Sequence, residues 1–239
     1  MKSLRESLLD DDLIIKTDKI IKDEIKAFLK ENYNGVIKIS KKPNADGKYE
    51  VSSTKNIEFK DRNINPFTNG MFIWTTVNGY FCCNLNNSLK SLEGAPKEVG
   101  GYFDCSGCKS LESLKGAPKV VGGSFGCSGC NSLKSLEGAP EKVEGNFSCI
   151  SCQSLKTLKG APQTVNGDFR CYNCDSLISL DGAPIEIGGD FNCNNCDSLK
   201  SLDGAPKKVG GNFYCSVCKI QFAEDDVKKV SNVRGEINC

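Results

Sequence analysis

The residues best placed to do chemistry are cysteines. Six Cys-x-x-Cys pairs recur, at Cys105/Cys108, Cys127/Cys130, Cys149/Cys152, Cys171/Cys174, Cys193/Cys196 and Cys215/Cys218. This spacing suits a zinc ion held by thiolates, or dithiol redox chemistry. On neighbouring strands of a parallel sheet, about 4.8 Å apart, four thiolates from two strands can approach one metal, and stacked cysteines can meet disulfide distances. Two observations favour packing. Each pair falls on inward positions of a repeating pattern, and a free thiol behaves as a small apolar group that is often buried. The first full unit also has Cys83 but Asn86 where the others carry a second Cys. Asn can serve a backbone turn by hydrogen bonding and is a poor substitute for a zinc thiolate. The twelve paired cysteines are therefore read as core, with no metal, and a zinc- or redox-active array is the alternative.

Catalysis has little else to draw on. The chain contains no His, which removes the commonest general base, most triads and most catalytic zinc sites. A Cys nucleophile would need Lys or a carboxylate as its base. No polar residue interrupts the repeat at one conspicuous point, as a grafted active site should. The expectation is a protein that is not an enzyme and uses no cofactor.

Recognition remains. Three rows of outward residues vary from unit to unit. The first reads Tyr80, Tyr102, Ser124, Asn146, Asp168, Asp190, Asn212; the second Cys82, Asp104, Gly126, Ser148, Arg170, Asn192, Tyr214; the third Asn84, Ser106, Ser128, Ile150, Tyr172, Asn194, Ser216. Their mix of Tyr, Ser, Asn and Gly suits adaptable protein-binding surfaces, and Tyr and Arg are typical hot-spot residues. The candidate partner-binding residues are Tyr102, Asp104, Asp168, Arg170, Tyr172, Asp190, Asn192 and Tyr214, weighted to the C-terminal half. Base stacking on the tyrosines is the weaker reading, because few basic residues flank them.

A repeat must position these residues. Gly-Ala-Pro recurs with Gly at 94, 116, 138, 160, 182 and 204, a period of 22 without a slip. A Phe row from Phe81 to Phe213, a Val/Ile row from Val77 to Val209 and two Leu rows from Leu89 and Leu92 keep the same period. Such a period marks a solenoid, because one unit is too small to bury its own apolar face. Phe103 and Cys105 alternate with polar residues, the pattern of a strand buried on one face. Gly and Pro break each unit before a helix can form. The fold is predicted to be mainly β with little helix, a parallel solenoid.

The unit resembles the leucine-rich repeat, L-x-x-L-x-L-x-x-N/C followed by a further Leu. Phe103, Cys105, Cys108 and Leu111 match the second Leu, the third Leu, the N/C position and the following Leu. The first Leu has only Val99, one residue early, so the strand is entered differently. The resemblance covers roughly 77–218 and implies a leucine-rich-repeat-like solenoid working through its exposed strand face. More narrowly, the "SLEGAPKEVGG" phrase and the "ESLLDDD" leader resemble uncharacterised repeat proteins of crAss-like phages and gut Bacteroidetes. That resemblance implies a host cytoplasm and protein targets of host or phage. It also raises the alternative of a structural or virion-associated protein positioned by its leader.

The remaining divisions follow from the ends. Residues 1–16 are predicted to be a flexible leader, and Ser3–Asp12 an exposed tail or a docking peptide. Residues 17–76 form an N-terminal helical, α+β cap. Its helix runs over 17–33, with Ile20, Ile21, Ile25, Phe28 and Leu29 on one face, then short strands and a turn at Asn44–Gly47. Phe59, 22 residues before Phe81, starts a degenerate coil. Seven repeats fill 77–218, and 219–239 close the far end with a short helix over 224–230 and a strand phrase, Val233 to Cys239, shifted by two residues. With 31 basic and 30 acidic residues, no global field draws in nucleic acid or an anionic membrane. No signal peptide or membrane span is evident, so the expectation is a cytoplasmic monomer with reduced thiols. The 15 cysteines are odd in number and cannot all pair internally.

Overall fold

A computed structural model describes residues 4–60, 67 and 70–239, with side chains from residue 18 on. Two segments of each unit become two-residue strands, as in Glu98–Val99 and Phe103–Asp104. Each pairs in parallel with its counterpart one unit on, Val99 with Val121 and Phe103 with Phe125. Two ten-stranded sheets therefore run the length of a β-solenoid, here called the Val sheet and the Phe sheet. The second sheet explains the missing first Leu. The chain turns a corner between Val99 and Phe103, so the two rows belong to different walls of the coil.

Identical side chains stack because the register is direct. Phe81 to Phe213 are all fully buried. Successive ring centroids lie 4.9 to 6.0 Å apart, and the planes stay within 22° of parallel until the last pair, tilted by 54°. The Leu rows from Leu89 and Leu92 and the Val row complete one continuous core. Burying each such side chain stabilises by roughly 1.5–3 kcal/mol, and only neighbouring coils provide that cover. The Gly of each Gly-Ala-Pro is tied to its place twice over. Its φ lies between +82° and +93°, and a Cβ on Gly116 would sit 2.5 Å from the Glu93 backbone.

The ends depart from the 22-residue count. Helix α1 spans Leu4–Asn32, so it starts well before residue 17 and the division at residue 16 falls inside it. The side chains of residues 1–17, and with them the docking-peptide reading of Ser3–Asp12, lie outside the described residues. Ile25 and Leu29 are buried against the first coil, with Ile21 and Phe28 packed beside them, but Ile20 is 59% exposed. Strands β1 (Tyr33–Asn34), β2 (Ile37–Ile39), β3 (Tyr49–Ser53), β4 (Ile57–Phe59) and β5 (Phe72–Val77) follow. The turn at Asn44 forms as expected, its Oδ1 accepting the N–H groups of Asp46 and Lys48.

β1 and β2 join the two sheets antiparallel and close the N-terminal end. Ile57, and not Phe59, lies over Phe81. Phe59 pairs with Tyr33 instead, ring centroids 4.9 Å apart. At the other end α2 (Glu224–Val230) carries acids in its first turn and Lys228 and Lys229 in its last, matching the helix dipole. The closing coil then places Ile237 over Phe213 and Val233 over Val209, the two-residue shift legible in the sequence. No helix among the described residues is long and apolar enough to cross a membrane.

Candidate binding face

The cysteine columns point inward. All paired cysteines are buried, as is Asn86. Each second Cys donates its S–H to the carbonyl of the first Cys one coil back: Cys130 to Cys105 at 3.3 Å, Cys152 to Cys127 and Cys174 to Cys149 at 3.2 Å. Burial pushes the Cys83, Cys171 and Cys193 thiols well above their ordinary range, and Cys108 and Cys196 up to about 12. For Cys105 and Cys127 a hydrogen bond with the second Cys of the next coil comes first and burial second. Cys152 is the exception, lowered by its hydrogen bond with Cys127. A thiol that keeps its proton is neither a nucleophile nor a metal ligand. Among the described residues no group of three Cys, Asp or Glu side chains is placed to hold a metal ion.

One pair departs from the expectation of reduced thiols. Cys215 is joined to Cys239 as a disulfide, and the other thirteen cysteines are free. The shifted closing coil stacks Cys239 on Cys215, Cα atoms 4.6 Å apart, inside the range a disulfide spans.

The outward rows of the Phe sheet serve two different ends. In the first row, from Ser124 onward, each side chain accepts the backbone N–H of its successor. Ser124 takes Asn146 at 3.0 Å, Asn146 takes Asp168 at 2.8 Å, Asp168 takes Asp190 at 2.8 Å, Asp190 takes Asn212 at 2.7 Å, and Asn212 takes Glu236 at 2.8 Å. These N–H groups sit at the corner between the sheets. A part-buried donor left unpaired there costs about 1–3 kcal/mol. The third row repeats the device: Ser106, Ser128 and Asn194 accept the N–H groups of Ser128, Ile150 and Ser216. Asp168 and Asp190, read from the sequence as contact residues, thus have one carboxylate oxygen committed to the fold. Only the loop geometry of the corner reveals this, so the sequence pattern gave no sign of it.

The middle row is different. Cys82 is buried. Asp104 accepts from Asn84 Nδ2 at 3.0 Å and from the Ser106 N–H at 2.9 Å. Arg170 pairs with Asp168 on its own coil at 2.5 Å and stays 39% exposed. Asn192 accepts the Asn194 N–H, and the Tyr214 hydroxyl accepts from Asn212 Nδ2 at 2.9 Å. The register sets Arg170, Asn192 and Tyr214 on consecutive strands, with the half-buried Tyr172 beside Arg170. Tyr102 lies at the other end of the face, 43% exposed and stacked on Tyr80, ring centroids 4.5 Å apart. The eight candidate residues therefore form two groups along one ribbon, an N-terminal one at Tyr102 and Asp104 and a C-terminal one from Asp168 to Tyr214. Comparison with protein-family models, with curated proteins and with solved structures gives no match.

Proposed function

We propose that the chain is a non-catalytic recognition module that holds a protein partner against the outward face of the Phe sheet. Arg170, Tyr172, Asn192 and Tyr214 form the main contact group, with Tyr102 and Asp104 as a second. The observation that carries this reading is the contrast between rows. Apart from Tyr80, Tyr102, Ile150 and Tyr172, the flanking rows carry small polar side chains, most of which accept a backbone N–H of the next coil. The middle row changes from Asp104 through Gly126, Ser148, Arg170 and Asn192 to Tyr214, and no backbone ladder runs through it. Tyr and Arg are the side chains that most often anchor protein interfaces, and a solenoid's extended face is its usual working surface. The likeness of each coil to the leucine-rich repeat supports the same use. The module is read as a cytoplasmic monomer without a cofactor.

Affinity capture tests it, comparing the wild-type chain with Arg170→Ala/Tyr172→Ala/Tyr214→Ala. These side chains lie outside the core, so the variant is expected to keep its melting temperature within a few degrees and lose the captured protein. Equal capture by both overturns the assignment of this face.

A further inference from the structure

Gly126 is the odd member of the middle row. Of the chain's 24 glycines, the others have a positive φ or would drive a Cβ to within 3.0 Å of neighbouring backbone. Gly126 has neither constraint. A Cβ there would meet only the ends of the Asp104 and Ser106 side chains, at 3.0 and 3.1 Å. The same position carries Asp104, Ser148, Arg170, Asn192 and Tyr214 on other coils. The backbone does not ask for glycine here. What glycine provides is a hollow of about 210 Å³, lined by Tyr102, Asp104, Ser124, Asn146, Ser148 and Arg170.

The walls of this hollow have a definite chemistry. One face of the Tyr102 ring is covered by Tyr80, the planes 7° apart. Its other face turns along the row toward Ser124, a side chain too short to cover it. Asp104 Oδ2 accepts from Asn84 Nδ2 and from the Cys82 thiol, whereas Oδ1 accepts only the Ser106 N–H, and a carboxylate oxygen has room for two. The Arg170 charge across the hollow is balanced by Asp168. The charged members of the three rows are Asp104, Asp168, Asp190 and Arg170, three acids against one base, so the face is net −2 on a chain whose total is +1. Burial, then the neighbouring Tyr80, Cys82 and Asp104, raise the Tyr102 hydroxyl above its ordinary pKa.

We propose that the hollow over Gly126 is a subsite for one arginine side chain of an extended segment of the protein partner. Its guanidinium lies flat on the open face of Tyr102 and gives N–H groups to Asp104. A planar fork that stacks on an aromatic ring and pairs with a carboxylate is the property of Arg and not of Lys. The inference rests on the reading of this face as a protein-binding surface, and adds the chemistry of one contact.

The test uses the full chain and a defined probe: an uncharged Gly/Ser/Asn peptide with one central arginine, and the same peptide with citrulline. Amide NMR signals of Tyr102, Ser124 and Gly126 should shift saturably with the arginine peptide only. Asp104→Asn, which removes the charge and keeps one acceptor oxygen for the Ser106 N–H, should weaken this by about tenfold or more. Gly126→Asn should abolish it while leaving the melting temperature unchanged, since Asn192 holds the same position two coils past Ser148. Equal response to citrulline, or an undiminished response in Gly126→Asn, overturns the proposal. Failure of the face as a whole reads out separately. It shows as unchanged capture by Arg170→Ala/Tyr172→Ala/Tyr214→Ala, whatever the arginine peptide does at Gly126.

Discussion

Replacing Phe147 by Leu probes what holds one coil on the next. Phe147 is fully buried in mid-column, its ring centroid 5.3 Å from Phe125 and 5.1 Å from Phe169. Truncation to Ala at such a site costs about 3–5 kcal/mol. Leu keeps most of the apolar area and loses the two ring pairs, each worth about 0.5–1.5 kcal/mol. The single Leu variant should therefore lose about 1–3 kcal/mol, or about 2–12 °C in melting temperature at 2–4 °C per kcal/mol for a chain of this size. The location of the coupling is the sharper quantity. A double-mutant cycle of Phe147→Leu with Phe169→Leu should give an interaction of about 0.5–1.5 kcal/mol. The same cycle with Phe213→Leu, three coils away, should give none beyond about 0.5 kcal/mol. Urea denaturation followed by circular dichroism measures both. Equal coupling at the two distances, or none at either, would refute stacking in direct register.

Three further outcomes follow from the same geometry. Thiols held above their ordinary pKa in the folded chain stay protonated after the unfolded chain has ionised near 9. Their contribution to stability is thus complete below pH 9 and lost as pH climbs toward the folded values, about 12 for Cys108 and Cys196. The melting temperature should fall between pH 9 and 11, and a flat profile in a thermal series would contradict this. Gly167→Ala, whose Cβ would lie 2.8 Å from the Gly145 backbone, should destabilise far more than Gly122→Asn, although a Cβ on Gly122 would lie 2.3 Å from the Gly100 carbonyl oxygen until the coil gives. Asn166 already occupies the Gly122 position in its own coil, with its hydrogen bond to Val143 stretched to 3.4 Å against 2.8 Å at Gly122; comparable losses on denaturation would count against the corner geometry. Asp190→Ala strands the Asn212 N–H and should cost about 1–3 kcal/mol, whereas Asp190→Asn keeps an oxygen in place; a loss as large in Asn as in Ala removes the ladder as a stabilising element.

The columns were legible because a fixed period leaves every inward row uniform. Phe103, Cys105, Leu111 and Val99 recur in type and spacing, so one coil predicts the next. The second sheet was not legible. Two-residue strands such as Glu98–Val99 carry no alternation of their own, and only the corner at Gly100–Tyr102 separates them from the Phe strand. Arithmetic also failed where the coil changes length. Counting back 22 from Phe81 reaches Phe59, but the structure stacks Ile57 there. Within the face, composition singled out Arg170, Tyr172 and Tyr214. It could not show that Asp168 and Asp190 are tied to backbone N–H groups one coil on, because that depends on where a corner amide points. Gly126 looked like one more variable residue until the backbone showed that nothing local requires glycine there.

Coil stacking is tested most directly by distance. Asn87, Asp175, Asp197 and Lys219 are exposed and occupy the same place in their coils. Spin labels pairing position 87 with 175, 197 and 219, four, five and six coils on, should give separations near 19, 24 and 29 Å, growing by about 4.8 Å per coil. Electron–electron resonance distances that do not rise in equal steps of that size would contradict a solenoid of equal coils in register.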